Sequence, residues 1–190
     1  MHASATPHVI LLDGTPERAP AFLAFTITGC VGMIGINEAG VAVTINNLQA
    51  SDGRPGVHWP FVVRQMLAQR TVDAALHELM RAPLSGAHNY SLMGYDDSGD
   101  LRGYNIEAGS THKVVTALAS EPSVIYVHTN HCLAPQMVSV ERTKKAMALD
   151  STTTRFRQAS EIMAATQGMV TLESLMALTR HEEPGTFSIC

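Results

Sequence analysis

Gly29-Cys30-Val31-Gly32-Met33-Ile34-Gly35-Ile36-Asn37-Glu38-Ala39-Gly40-Val41-Ala42-Val43-Thr44-Ile45-Asn46-Asn47-Leu48 is the stretch on which the fold turns. Met33–Asn37 and Val41–Asn46 are short β-compatible runs. Between them Asn37-Glu38-Ala39-Gly40 reads as a turn, with Gly40 supplying a positive φ. A hairpin here implies an antiparallel sheet. The glycines ahead of it do not form a phosphate loop, because GxGxxG spacing is absent and the run opens a hairpin rather than a helix. Their structural reading is close backbone packing or bulges.

Working outward, His8–Asp13 and Phe22–Thr28 are two further strand candidates. After the hairpin comes the turn-rich Ser51-Asp52-Gly53-Arg54-Pro55-Gly56. Val57–Gln69 then carries Trp59, Val62, Val63, Met66 and Leu67 at helical spacing. A second helix is expected over Thr71–Arg81, with Thr71 as N-cap, Asp73 in the first turn and Pro83 as the stop. Asn89–Gly94 and Leu101–Glu107 read as strands joined by the turn Asp96-Asp97-Ser98-Gly99-Asp100. His112–Leu118 and Val124–Thr129 are two more β-rich runs. Helices are expected over Val140–Leu149, Thr154–Thr166 and Leu172–Arg180. Strands, a helix pair, strands and then helices argue an α+β layering rather than strict βαβ alternation.

The 190 residues suit one domain, and 45% hydrophobic content with a net charge of −4 argues against disorder. A pI near 6.1 gives nucleic-acid binding no support. No apolar run approaches the ~18 residues of a membrane span, so no membrane partner is expected. Cys30, Cys132 and Cys190 make an odd count without CxxC spacing, and no basic-then-apolar leader opens the chain. Reduced cysteines in the cytoplasm are the resulting expectation. The ends look cut. Met1–Pro7 run at once into apolar His8–Leu12, and Phe187-Ser188-Ile189-Cys190 reads like the middle of a strand.

The densest polar cluster is Val127-His128-Thr129-Asn130-His131-Cys132. A metal-dependent hydrolase using His128, His131 and Cys132 would need a turn and remote ligands, since strand alternation aims the two histidines at opposite faces. No metal and no other cofactor is expected. Asn130 at a strand tip is a candidate amide donor to a tetrahedral oxyanion. The basic segment Glu141–Gln158 reads as a solvated helical face, with coenzyme A phosphate binding as the rarer alternative. Met66, Met80, Met147, Met163 and Met176 read as core filler. Cys30 and Cys132 read as small buried hydrophobes.

Three motifs carry a resemblance. Gly32-x-x-Gly35-Ile36-Asn37-Glu38-Ala39-Gly40-Val41-Ala42-Val43, followed by Asn46-Asn47-Leu48 and Gly53-Arg54-Pro55-Gly56-Val57, resembles the acyl-coenzyme A:6-aminopenicillanic acid acyltransferase family of N-terminal-nucleophile hydrolases. His128-Thr129-Asn130-His131-Cys132-Leu133 resembles that family's His-Thr-Asn-His motif, and Phe187-Ser188-Ile189-Cys190 its Ser-Ile-Cys motif. Order and spacing agree along nearly the whole chain.

The resemblance implies an αββα sandwich with antiparallel sheets, here its central part, incomplete at both ends, with residues 1–190 as one domain. It implies a precursor that cleaves itself before a Cys, whose thiol then attacks amides or thioesters of a small acyl substrate. A coenzyme A thioester is among the candidate donors. Asn130 becomes an oxyanion donor and Asn47 a pocket residue with a backbone N–H as second donor. Asn46, His128 and His131 become candidate substrate contacts. The family's nucleophile, its Gly-Gln-Asn-Trp-Asp motif and the Arg after Ser-Ile-Cys are expected outside this chain. Cys30 is the alternative nucleophile within it, although freeing its amine would tear a strand from the sheet. A binding module that kept the scaffold and lost catalysis is the alternative function. Unpaired strand edges predict a homo-oligomer or a complementing chain.

Overall fold

The computed structural model describes residues 9–118, 125–142, 146–166 and 168–181. Seven strands form one antiparallel sheet in sequence order. They are β1 (Val9–Gly14), β2 (Phe22–Ile27), β3 (Ile34–Asn37), β4 (Ala42–Asn47), β5 (His88–Tyr95), β6 (Leu101–Ala108) and β7 (Lys113–Leu118). Helices α1 (Trp59–Leu67) and α2 (Val72–Arg81) interrupt the strands between β4 and β5. Then come α3 (Pro135–Val138), α4 (Ala146–Ala165) and α5 (Leu172–Thr179). This is the expected α+β architecture with an antiparallel sheet. Among the described residues one sheet is present.

The β3–β4 hairpin forms as its sequence dictates. Gly40 takes φ +84°, a conformation that a Cβ disfavours. Asn37 locks the turn through its Oδ1, which accepts from the N–H groups of Ala39 and Val41 at 3.0 and 2.9 Å. Its Nδ2 donates to the carbonyls of Leu67 and Gln69, at the C-terminal end of α1, where helical carbonyls lack partners. One buried amide thereby fixes the helix against the hairpin. Gly35 shows why the glycine run precedes it, because a Cβ there would meet the Leu23 carbonyl oxygen at 2.4 Å.

Alternation places Val41, Val43, Tyr90, Leu92 and Ile106 on the face beneath α1 and α2, where they join Val62, Val63, Met66, Leu67 and Leu79 in the main core. Thr71 caps α2 as expected, its side chain accepting from the Ala74 N–H. The helix ends at Arg81, two residues before Pro83.

His88 is a buried polar residue on this face. Its ring lies 5.3 Å from that of Trp59, and its Nδ1 has no hydrogen-bond partner among the described residues. Burial, with His58 as a smaller cause, pushes its pKa from 6.5 down to about 4. The sign follows from linkage. The unfolded chain takes up a proton below its ordinary value while folded His88 stays neutral, so stability falls as pH drops from 6.5 to about 4 and then levels. The loss is about 3 kcal/mol. Urea unfolding at pH 7 and pH 4.5 should show it in the native chain and much less of it in His88→Phe. An unchanged difference in the variant would reject His88 as the source.

On the opposite face, β4 to β7 present polar rows. Asn46, Asn89 and Glu107 lie side by side, and Thr44, Ser91, Asn105 and Thr116 form the next row. On β1, β2, β3 and β5 this face carries apolar side chains that are uncovered among the described residues. Leu11 is 70% exposed, Ile36 48% and Met93 50%, with Leu23 and Phe25 beside them.

Three sequence expectations change. Residues 125–129 have no regular structure, so Val124–Thr129 is not a strand there, and Val124 lies outside the described residues. Its polar groups bond to β6 and α4 instead of to a neighbouring strand. Val140–Leu149 is not one helix. Around Glu141 the chain pairs with Ala50 as an isolated bridge, and Arg142 N–H donates to the Gln49 carbonyl at 2.8 Å. Among the described residues the helix covers Ala146–Ala165 and runs unbroken through Ser151-Thr152-Thr153-Thr154. Hydroxyls that usually compete with a helix are bonded here, Thr153 Oγ1 back to the Leu149 carbonyl at 2.8 Å and Thr152 to the 129–131 segment.

Among the core-filler methionines, Met66 and Met163 are buried, whereas Met80 and Met176 are exposed on short helices. The side chain of Met147 lies outside the described residues, as do His8 and Phe187–Cys190. No helix among the described residues is long and apolar enough to cross a membrane.

Candidate active site

The site begins at the end of β4. Asn130 Nδ2 donates to the Asn47 carbonyl at 3.1 Å, joining two residues 83 positions apart. The other end of the Asn130 amide is held as well, because Arg155 Nη2 donates to its Oδ1 at 3.0 Å. Its backbone N–H donates to Thr152 Oγ1 at 2.8 Å. A guanidinium only donates and a carbonyl only accepts, so these partners fix which way the amide points.

The loop carrying Asn130 is tied down from both sides. On the α4 side, Thr129 Oγ1 donates to the Thr152 carbonyl at 2.9 Å, and His131 Nδ1 lies 3.1 Å from Thr152 Oγ1. The His131 ring meets Phe156 edge-on, centroids 5.4 Å apart.

On the sheet side the anchor is Glu107 of β6. Its Oε1 accepts from Leu133 N–H at 2.7 Å and its Oε2 from Ala134 N–H at 3.1 Å. His128 Nε2 is 2.8 Å from the same Oε1, while His128 Nδ1 donates to the Thr129 carbonyl at 2.7 Å. Both side chains are buried, 1% and 2% exposed. One proton between Nε2 and Oε1 satisfies the pair, whichever atom holds it. Burial pushes the Tyr126 phenol up, with the Glu107 carboxylate adding to it, so Tyr126 is a neutral wall.

A cavity of about 470 Å³ opens beside this cluster. Thr44, Asn46 and Ser91 floor it from the sheet, His128 and Arg155 stand at its side, and Met163 and Leu178 belong to its apolar wall. A neighbouring cavity of about 540 Å³ is lined by Ile125, Leu133, Phe156 and Ala164, with no charged side chain in its wall among the described residues.

The residues singled out from sequence divide accordingly. Asn130 and Asn47 meet. Asn46 and His128 line the cavity, although both ring nitrogens of His128 are engaged with protein oxygens. His131 faces α4. Cys30 sits half-buried in the β2–β3 connection, where its N–H donates to the Ile27 carbonyl and its thiol points to the Gly32 carbonyl at 3.8 Å. Cys132 is a small core residue, packed with Leu48, Ala87 and Met137. Among the described residues no three His, Cys, Asp or Glu side chains gather as a metal would require.

Glu107, Thr152 and Arg155 escaped the sequence reading as parts of this site. Glu107 reads only as the last residue of a strand, and Arg155 as one charge of a solvated helical face. Asn89, fully buried next to Asn46, was missed too, and its amide has no partner among the described residues.

The described residues thus combine an antiparallel α+β scaffold with an amide anchored at the end of β4. The chain belongs to the acyl-coenzyme A:6-aminopenicillanic acid acyl-transferase family, whose sequence model matches residues 4–190. Among solved structures it is similar to penicillin V acylase from Agrobacterium tumefaciens, at 16% identity and a TM-score of 0.45 over 90% of this chain. The chain spans 59% of the length of that acylase. No curated protein matches it.

Proposed function

We propose that these residues form the oxyanion-side half of an acyltransferase or amidohydrolase acting on an amide or thioester of a small acyl substrate. The supporting observation is the Asn130–Asn47 pair, two residues expected at such a site that lie one hydrogen bond apart. A cysteine thiolate outside this chain attacks the carbonyl carbon. The C=O electron pair moves onto oxygen, and Asn130 Nδ2–H faces the resulting oxyanion. Collapse re-forms the carbonyl and expels the amine or thiol, which takes up the proton that the attacking thiol lost, leaving an acyl-thioester. Water or an acceptor amine then attacks that thioester and regenerates the thiol. The acyl group occupies the cavity over Asn46 and Ser91, with His128 and His131 holding the loop that bears the donor.

The test is mass spectrometry of the full protein carrying these residues, trapped with N-acyl amides and acyl thioesters. The expected result is an acyl adduct on a cysteine that precedes residue 1. An adduct on Cys30, abolished by Cys30→Ala, would assign the nucleophile there instead. Ligand binding with no adduct and no turnover would establish the non-catalytic binding module.

The same reading has the exposed apolar face around Leu11, Ile36 and Met93 covered in the assembled protein, by a second copy or a complementing chain. Sedimentation of the 190-residue chain should therefore give a dimer or larger species. A monodisperse monomer would count against it.

A further inference from the structure

Arg155 has a place in this site that charge patterning along α4 does not suggest. Its guanidinium points inward to Asn130 Oδ1 at 3.0 Å, with Nε 3.4 Å from Ser151 Oγ one turn back. In the same helix Arg157 points outward to Glu161, with both side chains 63% exposed. No acidic side chain pairs with Arg155 among the described residues, so its charge is directed at a neutral carbonyl oxygen.

We propose that Arg155 is a positioning residue that sets the polarity of the Asn130 amide and strengthens its N–H groups as donors. The inference rests on the oxyanion reading given above.

Two physical effects support it. An Asn amide is nearly symmetric in shape, and rotating it by half a turn would put Oδ1 where the donor must be. That rotamer aims an NH2 group at the guanidinium and an oxygen at the Asn47 carbonyl, so both contacts become repulsive. The present orientation makes both favourable. In addition, a cation on the carbonyl oxygen draws electron density from the amide nitrogen, and hydrogen bonds in such a chain reinforce one another. Ser151 at i−4 steadies the guanidinium on the helix surface. The donor is thereby oriented before substrate arrives, which an oxyanion hole requires.

The experiment uses the full protein with Arg155→Met, Arg155→Lys and Asn130→Ala. Arg155→Met is expected to lower kcat about tenfold with KM changed less than twofold, a fraction of the ~10²-fold or greater effect of losing the donor itself. Arg155→Lys should recover part of kcat, because a cation returns without the planar fork. Added methylguanidinium should rescue Arg155→Met and leave Asn130→Ala unmoved. Nuclear magnetic resonance of the Asn130 side-chain NH2 should show an upfield proton shift in Arg155→Met. That readout needs no turnover. If Arg155→Met fails to fold, Arg155→Lys carries the same two measurements.

Asn130→Ala inactive beside Arg155→Met at full kcat would overturn this inference and leave the oxyanion reading intact. Asn130→Ala at full kcat would overturn the reading itself. An unmoved NH2 resonance in the arginine variants would overturn the inference whether or not turnover is measurable.

Discussion

Asn130→Ala should lower kcat of the full protein by ~10² to 10³, about 3 to 4 kcal/mol of transition-state stabilisation, with KM little changed. The split follows from where the charge develops. A ground-state carbonyl needs the Nδ2–H only weakly, whereas a tetrahedral oxyanion needs it fully. The truncation also removes the bonds to Asn47 and Arg155, at about 1 kcal/mol of stability each, which steady-state kinetics below the unfolding transition will not register. Asn130→Asp is the sharper variant. It keeps an acceptor for Arg155 but sets a second carboxylate oxygen where the N–H stood. Its kcat should fall at least as far as that of Asn130→Ala. If either variant retains kcat within threefold, Asn130 is not the oxyanion donor.

The largest stability effect is expected at Glu107. Removing one partner of a buried pair leaves the other uncompensated, which costs about 3 to 5 kcal/mol. Glu107→Ala strips His128 of its partner and also orphans the Leu133 and Ala134 N–H groups. Urea unfolding should show that loss as a lower midpoint. Amide exchange should speed up first over 128–134, because those residues lose the sheet contacts that Glu107 provides. Glu107→Gln keeps one oxygen acceptor and should cost less than half as much. A loss below 1 kcal/mol in Glu107→Ala would show that the contacts to α4 and to Asn47 hold the loop without Glu107.

The two predictions fall on residues of unequal legibility. Asn130 was readable because its motif neighbours are contiguous in the chain and resemble a known pattern. Glu107 was not, because its meaning depends on residues 21 to 27 positions away that sequence alone does not bring into contact. An alternating strand with Asn105 and Glu107 on one side of Ile106 reads as half-solvated. The structure covers that side with the 125–142 loop, and so turns a surface carboxylate into a buried anchor. Arg155 was obscured in the same way. Next to Arg157 on a charged helix it looked solvated, and only the course of the loop gives it Asn130 as a partner. The helices expected over Val140–Leu149 and Thr154–Thr166 leave Thr152 between them, whereas in the structure tertiary bonds from Thr152 outweigh the weak helix propensity of three successive threonines.

By itself the sequence determined the strand segments β1 to β7 and their antiparallel character, the Gly40 turn and the α1–α2 pair. Those elements rest on period-2 or period-3.6 patterning, a positive-φ glycine, an N-cap threonine and a stopping proline, all of which act within a few residues. The tertiary structure alone decided which polar groups meet. The hydrogen bonds Glu107–His128, Asn47–Asn130, Asn130–Thr152 and Asn130–Arg155 span loops of 20 residues or more. Their closure is driven by burial of the core and not by any local preference of the residues that form them.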